Sequence, residues 1–210
     1  MSKPNEQHGC GCGCACSGPA DSGRRSMLGG ALALAALAPL AGTAGDADAQ
    51  DAAPPARSQK PEPGDRLAFM IGPKQGKEVL PADVEVGAAP VLAYPMDPAS
   101  GKVLISKANL LTVVRLKPDQ LQPSSAKNAA DGIVAFSSLC THYGCPITTL
   151  HPGQTQIVCN CHGSVFDAAN RGAVTQGPAT RRLAMLPVTI ENGALVVAGK
   201  FDGPLGPPTT

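Results

Sequence analysis

Two short stretches of this chain gather the residue types that bind soft metals. One is Cys140-Thr141-His142-Tyr143-Gly144-Cys145, and the other is Cys159-Asn160-Cys161-His162-Gly163-Ser164. The first has Cys-x-His spacing and the second Cys-x-x-His, so each can present one thiolate and one imidazole to a common centre. A [2Fe–2S] cluster with two cysteines on one iron and two histidines on the other requires that donor set: Cys140, His142, Cys159 and His162. Neutral imidazoles in place of two thiolates leave less negative charge on the cluster, which makes the reduced form easier to reach and raises the potential. Cys145 and Cys161 remain, one per loop, and a disulfide between them would clamp the loops over the cluster. Closing a loop of about sixteen residues stabilises by roughly 3 kcal/mol in the chain-entropy model. A structural zinc site also takes Cys₂His₂, but it would leave Cys145 and Cys161 without a role. Two unrelated disulfides would not require both histidines at ligand spacing.

Loops of this kind need a scaffold, and the apolar pattern around them is that of strands. Leu67–Ile71, Val91–Met96 and Lys102–Leu116 carry β-branched and aliphatic runs broken by Pro and Gly, and Gly132–Leu139 is a further run ending at Cys140. Leu186–Ile190 and Ala194–Ala198 flank Asn192-Gly193, the turn pair of a type I′ hairpin. No segment has a convincing amphipathic helical period. The expected fold is all-β, in several short antiparallel sheets, occupying 66–210. Before it, 50–65 reads as a flexible linker, with prolines crowded at Pro54, Pro55, Pro61 and Pro63.

The composition narrows the function classes. The 210 residues have no Trp and a formal charge of +1, with Lys and Arg scattered. A nucleic-acid partner would need a basic patch, so that class is set aside. A core of Val, Leu, Ile and Ala is light, and covalent staples would help it.

The N-terminal 1–49 reads as an address. Arg24-Arg25 precedes an uncharged stretch from Met27 to about Ala44, the pattern of a twin-arginine export signal. Such signals serve proteins that acquire a cofactor before crossing the membrane, and an oxidising destination agrees with a disulfide. Ala47-Asp48-Ala49 offers a cleavage site. Left uncleaved, about eighteen residues at roughly 1.5 Å each would reach about 27 Å, enough for a membrane anchor at 27–44. The expected location is therefore the periplasmic side of a bacterial inner membrane, soluble or anchored. Upstream, Cys10, Cys12, Cys14 and Cys16 could hold a soft metal or form a cofactor-free reduced tail.

At Cys-Thr-His-x-Gly-Cys, Cys-x-Cys-His-Gly-Ser and the later Gly177-Pro178-Ala179, the chain resembles the Rieske iron–sulfur family, over roughly Val91 to Lys200. The resemblance implies a base of antiparallel sheets carrying a smaller cluster-binding subdomain, with Gly177 and Pro178 in a proline loop over the cluster. It implies that Cys140 and Cys159 bind the inner iron, while His142 and His162 bind the exposed one, where electrons enter and leave. Ser164 is expected to donate to a bridging sulfide. Phe166 stands where the quinol-reductase type has a tyrosine donating to a ligand sulfur, so a lower potential is expected here. Tyr143 replaces the usual Leu beside the first histidine, and Asn160 a frequent Pro. A Rieske oxygenase is excluded by counting, because of four histidines two are ligands and His8 lies in the export segment, leaving His151 alone. His151 reads as a loop surface residue, and Arg181 and Arg182 as solvated.

The reading is an exported one-electron relay with no catalytic site of its own apart from the cluster. Its thirteen-residue spacer from Cys145 to Cys159, the Val91-Leu92-Ala93-Tyr94-Pro95 segment and Ser164 followed by Phe166 are most similar to the small subunit of arsenite oxidase. That implies a large molybdenum oxidase partner and a c-type cytochrome acceptor. The alternative is the tethered Rieske subunit of a quinol–cytochrome c reductase, with a cytochrome b partner, and the second alternative is a soluble Rieske ferredoxin.

Overall fold

A computed structural model describes residues 57–151 and 155–208. The export segment, the N-terminal cysteines and the first part of the linker lie outside the described residues. Among the described residues no helix is long and apolar enough to cross a membrane.

Among the described residues, eleven strands build the domain: β1 (Arg66–Phe69), β2 (Val91–Met96), β3 (Leu111–Arg115), β4 (Ile133–Ser137), β5 (Thr149–Leu150), β6 (Gln156–Cys159), β7 (Ser164–Asp167), β8 (Ala173–Gln176), β9 (Met185–Leu186), β10 (Val188–Glu191) and β11 (Ala194–Val197). They form two antiparallel sheets. The base sheet has the order β10-β11-β1-β2-β3-β4-β9, and the smaller sheet has the order β5-β6-β7-β8. The single turn of α-helix, Pro123–Ala126, starts on a proline, whose fixed φ suits a first helical turn.

Strands β3 and β4 are buried on both faces, and their alternation divides the core in two. Leu111 and Val113 join Ile133, Ala135, Leu67, Leu186 and Leu195 in one apolar cluster. Val114, Val134 and Phe136, on the other face, pack with Ile147, Ile157 and Phe166 from the smaller sheet and its loops, and with Leu183 and Met185 at the start of β9. Thr112, on that same face, donates to the carbonyl of Ile147 at 2.6 Å. The small sheet is thus fixed to the β3–β4–β9 side of the base sheet by apolar burial plus a buried hydroxyl bond.

The hairpin β10–β11 turns through Asn192 (φ 51°) and Gly193 (φ 78°), the two positive angles that a type I′ turn requires. The expected run Lys102–Leu116 is strand only from Leu111. Ser106 accepts from the Asn109 amide at 3.2 Å and caps a 3₁₀ turn over Lys107–Asn109, a local alternative to the ladder that short hydroxyl side chains offer. Part of the expected linker packs on the domain: Arg57 pairs with Asp65, with Asp97 at 3.2 Å and with Glu62 at 3.5 Å. Pro61 is buried, and Asn109 donates to the Gln59 carbonyl at 2.7 Å.

Near the C-terminus, Asp202 collects Arg171 at 2.7 Å, Arg182 at 2.9 Å and the Met185 amide at 2.8 Å. Burial opposes its ionisation, but the two guanidiniums and the amide outweigh burial and hold the carboxyl below the usual range. A carboxylate lowered in this way contributes stability above its unfolded pKa, and the contribution is lost as pH falls through the folded value. Asp202→Asn is therefore expected to lower stability to urea by about 2 kcal/mol at pH 7. The difference should shrink at pH values below the ordinary carboxylate range. A loss of equal size at pH 7 and pH 3 would show that the charge is not responsible.

Candidate metal centre

Three loops converge at one end of the domain. The first runs from the end of β4 to β5, the second joins β6 to β7, and the third leaves β8 through Gly177-Pro178-Ala179. The first two are built alike. In one, Gly144 donates to the Cys140 carbonyl at 2.8 Å; in the other, Gly163 donates to the Cys159 carbonyl at 3.0 Å. Both glycines have positive φ, 69° and 73°, which closes each turn at low cost. Each turn therefore puts a cysteine at its root and a histidine near its tip.

The roots are anchored in the core. The first turn is closed by the Cys140 amide on the Cys145 carbonyl at 2.9 Å, and below it Ser138 Oγ donates to the Ile147 carbonyl at 3.1 Å. In the second, Cys159 pairs with Ser164 across the β6–β7 ladder. Cys140 and Cys159 are each only 1% exposed. Burial pushes the Cys140 thiol up; the His142 amide and the Ser164 hydroxyl pull it down, while a hydrogen bond to Cys159 pushes it up again. Two buried thiols side by side cannot both ionise unless a positive charge lies between them.

The tips point outward. The rings of His142 and His162 stand edge to face, with centroids 4.8 Å apart. His142 Nδ1 is buried with no hydrogen-bond partner, a cost that a metal–nitrogen bond would remove. Tyr143 is 72% exposed, with its ring 4.6 Å from that of His142 and 5.8 Å from that of His162. Paired buried thiols, paired imidazoles and an orphaned imidazole nitrogen fit a group that takes two sulfurs and two nitrogens.

Cys145 is half-buried and Cys161 exposed, and all four cysteines in this part of the chain are free thiols. The sulfurs of Cys145, Cys159 and Cys161 lie within 4.8 Å of one another. Cys161 is exposed but hydrogen-bonded to Cys145, and that neighbouring thiol pushes its pKa up to about 12. The pair is placed to meet, and the disulfide expected of it is an oxidation of these two neighbouring thiols.

The remaining expected residues surround the centre. Ser164 is fully buried, and its oxygen accepts from the Ala179 amide at 3.2 Å, which ties the third loop to the second. A side chain at Gly177 would place Cβ 2.6 Å from the Gly163 carbonyl oxygen and 2.6 Å from Ser164 Cα, so only glycine lets the third loop lie this close. Pro178 follows it, exposed. Phe166 is fully buried in the same apolar cluster as Cys140 and Cys159. Asn160 donates to Thr149 Oγ1 at 2.7 Å, which steadies the second loop where a proline would have stiffened it. His151 is exposed.

Arg181 and Arg182 are not simply solvated. Arg182 pairs with Asp202, and Arg181 Nη2 donates to the carbonyls of Leu205, Gly206 and Pro207. Their partners are twenty or more residues away, so no local signal in the sequence pointed to them. Thr141, whose hydroxyl donates to the Arg181 carbonyl at 2.6 Å, was missed for the same reason.

Phe166 cannot donate a hydrogen bond, so Phe166→Tyr is expected to raise the potential of a bound cluster. A bond worth about 1 kcal/mol corresponds to roughly 40 mV for one electron. Voltammetry that finds the potential unmoved would sink this role for position 166.

The Rieske [2Fe-2S] domain model matches residues 108–187, which span all three loops. The cytochrome bc1 complex Rieske iron-sulfur subunit of Streptomyces lividans is 31% identical over 167 residues, 72% of this chain and 96% of that protein. Its counterpart in Mycobacterium bovis is 36% identical over 162 residues, 67% of this chain and 38% of that protein. In Corynebacterium glutamicum the identity is 52% over 75 residues, 35% of this chain but only 18% of the relative's length. Among solved structures, the Sphingomonas yanoikuyae B1 ferredoxin superposes with a TM-score of 0.41 and 24% identity over 64% of this chain and 97% of that one. That superposition is too loose to locate a residue, and kinship rests on the sequence matches. With the three converging loops, those matches place the chain in the Rieske [2Fe–2S] family, as the bearer of a Rieske-type cluster.

Proposed function

We propose that this chain is the Rieske subunit of a quinol–cytochrome c reductase of the cytochrome bc1 type, relaying single electrons from a quinol site to a c-type cytochrome. The observation that carries the reading is the match to the Streptomyces lividans subunit of that name along 96% of its length. The arsenite-oxidase reading, favoured by the spacer and by Phe166, has no such support: the relatives reported above are all named as cytochrome bc1 subunits. A large molybdenum oxidase partner accordingly gives way to cytochrome b and a c-type cytochrome.

In this reading the buried Cys140 and Cys159 and the outward His142 and His162 would hold the cluster. The bound group supplies a reversible one-electron store. The chain's own residues do the rest. The buried roots keep water from the sulfur side, where Ser164 offers its hydroxyl. The two imidazole edges would be the contact through which an electron reaches a partner. Tyr143 stands beside both rings and forms part of the surface that a quinol or cytochrome would touch. Oxidation of Cys145 and Cys161 to a disulfide, in an exported compartment, would lock the first two loops together. Residues 1–49 would direct export, with 27–44 as a membrane anchor if uncleaved, and the segment up to residue 56 would tether the head.

Native purification in mild detergent tests the assignment. Mass spectrometry is expected to find a cytochrome b and a c-type cytochrome travelling with the chain. A molybdopterin-binding subunit in their place would return the chain to the oxidase reading.

A further inference from the structure

We propose that the C-terminal segment 201–208 is a strap that holds the first cluster loop in position, with Arg181 as its fastening and as a positioning residue for His142. Arg181 Nη2 donates to three successive carbonyls of the tail, Leu205 at 3.1 Å, Gly206 at 2.6 Å and Pro207 at 3.0 Å. The same residue's carbonyl accepts the Thr141 hydroxyl at 2.6 Å. Thr141 is buried between Cys140 and His142. One residue of the third loop therefore grips the tail with its side chain and the first loop with its main chain.

The tail also lies directly on that loop. Pro207 Cδ is 3.5 Å from where a Cβ on Gly144 would stand, and Leu139 Cδ1 is 3.7 Å from where one on Gly206 would stand. Gly206 is buried with φ 64°, so the bend that seats it there suits glycine. The start of the segment is held separately, by Asp202 between Arg171 and Arg182. Pinned at Asp202 and again at 205–207, the tail closes the side of the first loop that β4 and the third loop leave open. A proline- and glycine-rich tail merely resting on the surface would not need a guanidinium centred on three of its carbonyls. That guanidinium, moreover, leaves its own Nε buried without a partner, a cost that has to be offset by what the residue holds in place.

The strap matters for the cluster because the first loop has few other restraints above its root. Gly144 closes the turn, and the ring of His142 meets only the rings of His162 and Tyr143 among aromatic neighbours. Releasing the tail frees the Thr141 side of the loop and lets the His142 ring reorient against His162.

This inference rests on the three loops holding the cluster and not on which complex the chain joins. The full-length holoprotein tests it with four variants: Arg181→Ala, Arg181→Lys, a chain ending at Asp202, and Arg181→Ala in that shortened chain. Loss of visible absorbance under chelator measures cluster release, and the EPR line shape of the reduced protein reports ligand geometry. Arg181→Ala and the shortened chain are each expected to release the cluster roughly tenfold faster, the scale of a lost charge-assisted hydrogen bond. Both should show the same altered line shape, and the combined variant should match either alone. Arg181→Lys, which keeps a cationic donor, should recover part of the difference. Wild-type release and line shape in the shortened chain would overturn the proposal. So would effects that multiply in the combined variant, since independent sites add in free energy. A lowered unfolding midpoint with both cluster readouts unchanged would make the tail structural only. Should Arg181→Ala fail to fold, the shortened chain decides alone. Failure of the wild-type chain to take up any cluster would instead refute the site itself.

Discussion

Two cysteine thiols buried side by side are the constraint around which this domain is arranged. Cys140 and Cys159 lie 1% exposed in the same apolar cluster as Phe166 and Ile157. Both could be thiolates in such a place only with a cation between them, so metal binding there would stabilise the local packing and be stabilised by it. That requirement accounts for the rigidity below the site. Strands β3 and β4 give one face to the base core and the other to the small sheet, while Thr112 and Ser138 both donate to the Ile147 carbonyl below the first loop. The roots cannot drift without opening the core.

Above the roots the demand reverses, because an electron must get in and out. The two glycine-closed turns carry His142 and His162 from the buried sulfurs to the surface within two or three residues. The third loop comes close enough to brace the second only because Gly177 has no side chain. Its next residues, Arg181 and Arg182, reach back to the C-terminal tail. The centre is thus held from below by apolar packing and from the sides by backbone contacts, and its imidazole edges are left open.

Much of this was legible in the sequence, for identifiable reasons. Metal-donor residue types at fixed spacing are a local signal, and so is Asn192-Gly193 between two apolar runs; the hairpin turn forms where it was expected, and the two donor loops come together at one end of the domain. Strand β2 was also read with its observed ends, since Pro and Gly punctuate it. The run before Leu111 was over-read, because Ser106 caps a turn that apolar periodicity does not register. The bonds from Thr141 to Arg181, from Arg181 to the 205–207 carbonyls and from Arg182 to Asp202 were illegible, since each joins residues twenty or more apart with no local pattern to mark it. Placement within the family was read from a few positions around the cluster, Phe166 among them, and similarity over most of a relative's length favours the other reading.

Whether two imidazoles complete the centre is the most direct question. Pulsed EPR on the reduced full-length chain, grown with ¹⁵N-labelled histidine, reads nitrogen coupling to the cluster spin. Coupling to two labelled nitrogens, falling to one when His142 or His162 is replaced singly, is the predicted result. A cluster that assembles with no histidine coupling, or one whose coupling survives replacement of both, would contradict the account.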